Sequence, residues 1–232
     1  MNGLANALPL NGKTTGEISD QFEVFFVPAG YVFSICGLIY LGLIIFAIYQ
    51  ALPAQRENPR LRRIGYWFSL SCAANIAWLY FWHYEIFVGT ILVMLALLVS
   101  LIVIYLRLDI GRQRVPQVEK WCVNLPFSIY MGWISVATIA NASDVLDYLN
   151  WNGWGIAPEI WAVIMLVVGL ALAAAMSFLR GDIAYGLVLA WAFIGIAVKQ
   201  ADSPLVANAA WMASGLAILL LVINGFWKRQ FR

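Results

Sequence analysis

The stretch IFVGTILVMLALLVSLIVIYL, residues 86–106, runs for 21 positions without a charge and is bounded by Glu85 and Arg107. A hydrocarbon core of roughly 30 Å takes about 20 residues of helix at about 1.5 Å each, so this run has the length of one membrane crossing. Working outward, six more windows of the same kind emerge: Val24 to Ala51, Ile64 to Tyr84, Trp121 to Ala142, Ile160 to Phe178, Ile183 to Val198 and Leu205 to Gly225. The expected fold is all-α, a polytopic transmembrane bundle of about seven helices.

Composition agrees. Hydrophobic residues make up 63% of the 232, charged residues 11%, and mean hydropathy is +0.82. Soluble domains are roughly half apolar and a quarter charged, and a water-soluble fold of this length has no way to hide so much apolar surface. The net charge of +2 is too small for nucleic acid to be an expected partner. Cys36, Cys72 and Cys122 fall in three different apolar windows and are expected to be small core residues, not disulfide partners. Met1 to Glu23 lacks the basic start, apolar run and cleavage site of a signal peptide and is expected to persist as an outer tail.

Lysine and arginine mark cytoplasmic connections. The first connection holds Arg56, Arg60, Arg62 and Arg63; the third holds Arg107, Arg112, Arg114 and Lys120; the fifth holds Arg180; the tail holds Lys228, Arg229 and Arg232. Lys13 and Lys199 alone fall on the other side. The alternation predicts an outer N-terminus, a cytoplasmic C-terminus and an odd number of spans. The chain then divides into a tail (1–23), a four-helix portion (24–142), an outer Trp/Gly loop (143–159) that suggests a lid at the membrane surface, and a three-helix portion with a basic tail (160–232).

Ionisable groups in mid-span usually mark ion paths or ligand counter-ions. None is visible: Glu23, Glu85, Glu159, Asp182 and Lys199 sit at predicted helix ends, from which side chains reach the interface. This argues against a proton pump, an ion-coupled transporter and a retinal protein. No His, Cys or carboxylate cluster has metal-ligand spacing. The lone His83, beside Trp82 and Tyr84, is read as an interfacial residue, with axial ligation of a haem or chlorophyll as the alternative.

Of the eleven tryptophans, Trp67, Trp121, Trp211 and Trp227 suit interfacial belts, whereas Trp78, Trp133 and Trp191 lie well within their windows. Asn75, Trp78 and Trp82 are spaced i, i+3, i+7, and Trp133, Ala137 and Asn141 are spaced i, i+4, i+8, so each set shares one helix face. A buried asparagine in hydrocarbon needs a hydrogen-bond partner, which turns both faces into the bundle. Tyr31 and Phe33 fall at a similar depth. Three helices are thus expected either to wall one aromatic pocket, suited to a planar apolar ligand, or to pack together through the same residues.

These residues resemble the TspO/MBR family of tryptophan-rich sensory, or translocator, proteins. Pro28-Ala29-Gly30-Tyr31-Val32-Phe33 with Leu38-Ile39-Tyr40 is similar to the family's Pro-Pro-x-Trp-Val-Phe start and later tyrosine. Asn75-Ile76-Ala77-Trp78 resembles its Asn-x-x-Trp, and Trp133 to Asn141 its Trp-x-x-x-Ala-Thr-x-x-Asn. The resemblance spans Pro28 to about Asn141 and makes the chain an extended member with three added C-terminal helices. It implies binding of a tetrapyrrole, sterol or isoprenoid-like molecule at Tyr31, Phe33, Asn75, Trp78, Trp133, Ala137 and Asn141, with Trp82 joining by its shared face. No cofactor is required by this reading beyond a bound tetrapyrrole or lipid. The expected partners are the bilayer and a small hydrophobic ligand, and a homodimer or a larger membrane complex, with the chain as accessory subunit, stays open. An enzyme acting on a bound porphyrin is a third reading, for which no acid, base or metal is identifiable. A prokaryotic plasma membrane is the expected setting.

Overall fold

The structure, a computed structural model, describes residues 11–230, with side chains described through Gly225. The architecture is helical. Seven long helices fill the seven windows: α1 (Ile35–Ala51), α2 (Trp67–His83), α3 (Phe87–Arg107), α4 (Leu125–Tyr148), α5 (Pro158–Arg180), α6 (Ile183–Lys199) and α7 (Pro204–Gln230). Counting the short turns that lead into α1 and α4, five are long and apolar enough to cross a membrane: α1, α3, α4, α5 and α7. The other two, α2 and α6, have 17 residues each, about 25 Å of helix. Asn224 of α7 donates to Ser177 near the end of α5, so α5 and α7 run parallel and α6 returns the chain between them. A girdle of exposed apolar side chains, such as Leu41, Ile48, Leu92, Val167 and Leu219, faces outward, as lipid contact requires.

Helix ends depart from the windows in two places that shape the site. Residues 24–29 are not helical, and a 3₁₀ turn, Gly30–Ser34, leads into α1. At the other departure, α4 continues through Tyr148, where the charge pattern predicts a loop from Ser143, and so takes Asp144 into the helix. The connection to α5 is correspondingly shorter and holds a 3₁₀ turn, Gly153–Gly155, beside a cluster of Trp151, Trp154 and Trp161.

Helix α4 is the axis, with 56% of its apolar window buried against 17% for α1. One core joins α1 to α4 around Phe46, Leu97 and Phe127; a second joins α4 to α5, α6 and α7 around Leu166, Phe193 and Ala210. Gly132 lets α4 and α6 approach closely, since a Cβ there would lie 3.1 Å from that of Val188. The C-terminal helices are therefore joined to the bundle chiefly through α6, which packs on α4, and do not stand beside it.

The basic end is tied together by buried charge. Arg60, 5% exposed, pairs with Glu119 at 2.5 Å and donates to the carbonyl of Leu108 (2.8 Å) and to Asn124 (2.6 Å). Asp182 is not a residue reaching for the interface: it is buried, caps α6 through the amide of Tyr185, and accepts from Tyr105 and Ser128 at 2.7 and 2.6 Å. The side chains of Trp227, Lys228 and Arg229, and all of Arg232, lie outside the described residues, as does the tail before Asn11.

Candidate functional site

At the opposite end the chain from Asn11 folds back over α2. A short helix, Thr15–Ser19, starts from a capping box between Thr14 and Glu17. The segment is held by an ion pair of Lys13 with Glu85 (2.7 Å), by Asn11 donating to the His83 carbonyl (2.9 Å), and by the Trp82 indole donating to the Thr15 carbonyl (3.2 Å). Asp20 pairs with Lys199 at the end of α6. The His83 ring is buried and lies 3.3 Å from the Thr15 hydroxyl, which replaces the solvated interfacial position expected of it.

Beneath this segment lies a cavity of about 60 Å³. Phe33, Asn75, Trp78, Trp82, Trp133, Ala137 and Asn141 all line it, so seven of the eight residues singled out from the sequence come together. Tyr31 does not line it and lies edge to face on Trp191, centroids 5.5 Å apart. Trp78 and Trp82 stack at 5.3 Å and 16° on its wall. Phe33 meets Trp133 edge to face at 5.6 Å.

Asn141 is largely occupied by the fold. Its amide donates to Thr90 of α3 at 2.8 Å and accepts from the Trp78 indole at 3.3 Å, stitching three helices together. The unused polar group is Asp144. It is 2% exposed, lines the same cavity, and its Oδ1 is the one buried side-chain N or O atom without a hydrogen-bond partner among the described residues. Asp144, which the sequence assigns to the outer loop from Ser143, is thus a buried carboxyl in α4, one turn beyond Asn141. The signal was present in the spacing: Trp133, Ala137, Asn141 and Asp144 form one stripe, i, i+4, i+8, i+11.

An orphaned buried polar atom costs about 1–3 kcal/mol. Asp144→Leu, which replaces the two oxygens by methyls on the same γ-branched skeleton, is expected to raise the midpoint of thermal unfolding in detergent. A lowered midpoint would mean that the carboxyl is already satisfied within the protein.

Helical crossings and an outward apolar girdle define a polytopic integral membrane protein, and an aromatic hollow with one unsatisfied carboxyl lies between its helices. The chain belongs to the family of TSPO-like proteins, whose family model matches residues 1–223. That match runs through α5 and α6 and most of α7. No curated protein and no solved structure matches the chain.

Proposed function

We propose that the protein binds a flat hydrophobic molecule of the tetrapyrrole, sterol or isoprenoid kind within the membrane, in the cavity between α1, α2 and α4. In this reading the stacked indoles of Trp78 and Trp82 take the flat apolar body, and Asp144 accepts a hydrogen bond from a donor group on the ligand. The supporting observation is the convergence of seven predicted residues and one orphaned carboxyl on a single hollow.

Drug-sized ligands occupy pockets of roughly 300–1,000 Å³, so a cavity of about 60 Å³ has to widen to admit one. The wall suited to move is the segment from Lys13 to Asp20. Its ion pairs to Glu85 and Lys199 are partly exposed, and such pairs contribute only about 0–1 kcal/mol each. Displacing it opens the end of the cavity lined by Thr15, Ser19 and Asp144. The basic end faces the cytoplasm in this reading.

Titrating the purified protein with protoporphyrin IX at micromolar concentration is expected to quench tryptophan fluorescence saturably. Trp133→Ala, which removes the indole against Phe33, is expected to weaken binding at least tenfold, about 1.4 kcal/mol. Unchanged fluorescence with both protoporphyrin and a sterol, or full affinity in the variant, would end the proposal.

A further inference from the structure

A second hollow, of about 590 Å³, lies between the outer half of α4, the start of α5 and residues 23–26. It lies where α4 and α5, though consecutive, scarcely touch, while α6 packs against both. Its size falls within the range of small-molecule sites, roughly 300–1,000 Å³. It shares no lining residue with the cavity under the N-terminal segment.

The walls are mostly apolar and aromatic, with Phe25, Ile139, Met165, Trp151 and Trp161 among them. The two indoles are fixed in place: their centroids are 5.3 Å apart, and Trp161 donates to the Gly153 carbonyl at 2.9 Å. Two carboxylates, Glu23 and Asp147, stand on the same walls, and no lining residue is Lys, Arg or His. Neither takes part in the ion pairs of the described residues, which join Lys13 to Glu85, Arg60 to Glu119, Arg62 to Glu57, Arg180 to Asp109 and Lys199 to Asp20. A ligand-sized apolar space with tryptophan faces, two uncompensated negative charges and no positive one is complementary to a single chemistry. Aromatic faces attract organic cations through the ring quadrupole, and the carboxylates favour positive charge and repel negative charge.

We propose that this hollow binds a lipophilic cation, with the charged centre between Glu23 and Asp147 and the apolar body against Trp151 and Trp161. The site stands apart from the one under the N-terminal segment and does not depend on it. A neutral lipid chain would use the same walls without the carboxylates, and an anionic amphiphile would be turned away by them.

Tetraphenylphosphonium and tetraphenylborate have the same shape and opposite charge, which makes them the discriminating pair. Equilibrium dialysis against the protein in neutral micelles, with protein-free micelles as baseline, is expected to show saturable binding of the phosphonium. Its affinity should exceed that of the borate at least tenfold. The double variant Glu23→Gln/Asp147→Asn changes two exposed side chains and should fold normally; it is expected to lose that preference. Phosphonium uptake no greater than in empty micelles, equal or tighter binding of the borate, or an unaltered preference in the double variant would overturn the proposal.

Discussion

Arg60→Met is expected to destabilise the protein by about 3–5 kcal/mol, enough to abolish folded material at moderate temperature. The side chains of Arg60 and Glu119 are 6% and 7% exposed, so the guanidinium is paired with a carboxylate that water barely reaches. Removing one partner leaves the other buried without compensation, and this penalty exceeds what the pair contributes when intact. The same guanidinium also holds the Leu108 carbonyl and Asn124, so the variant releases the first connection, the end of α3 and the lead-in to α4 together. Arg62 offers the contrast. It pairs with Glu57, but the two side chains are 66% and 77% exposed, and Arg62→Met is expected to cost at most about 1 kcal/mol. Unfolding midpoints in detergent should separate the two variants widely, and Arg60→Met/Glu119→Leu should recover much of the loss. Equal midpoints for Arg60→Met and Arg62→Met would show that the pair is solvated.

The seven helices were legible in the sequence because hydrocarbon does not tolerate lone charges, so the absence of charge over about 20 residues carries the fold. The same rule misplaced the end of α4. Charge at Asp144 was read as the exit from the membrane, but a carboxyl can stay inside a helix when the helix lies at the centre of a bundle. Face spacing located Trp78, Trp82, Trp133 and Asn141, since positions three and four apart meet on one side. Tyr31 was grouped with Phe33 by depth, although residues two apart on a helical turn point different ways, and Tyr31 turns to Trp191 while Phe33 turns to Trp133. The larger hollow was not legible. Its carboxylates, Glu23 and Asp147, are far apart in the sequence and come to one space only through tertiary packing, which spacing along a helix does not reveal.

Gly195→Ala tests whether the C-terminal helices shape the ligand cavity. Gly195 of α6 accepts a hydrogen bond from the amide of Ala29 at 3.1 Å, and the Trp191 indole, one turn earlier, donates to the Val32 carbonyl at 3.4 Å. A Cβ on Gly195 would overlap the side chain of Val32 and come within 3.0 Å of that of Pro28. Neither neighbour yields easily: Val32 is fully buried and stiff at χ1, and proline is a ring. Pro28 and Phe33 line the cavity, so the segment that has to shift is one of its walls. Alanine gains about 1 kcal/mol over glycine in a helix interior, whereas forcing a methyl into a filled contact costs about 1–3 kcal/mol or more. The clash is severe enough to win, so the expected result is a net loss of stability together with weakened ligand quenching. Gly215→Ala in α7 supplies the propensity gain alone, because nothing lies within 4 Å of its added carbon, and should stabilise by up to about 1 kcal/mol. If Gly195→Ala were as stable and as competent in binding as Gly215→Ala, α6 would not be positioning the Pro28–Phe33 wall, and the aromatic cavity would be the work of the first four helices alone.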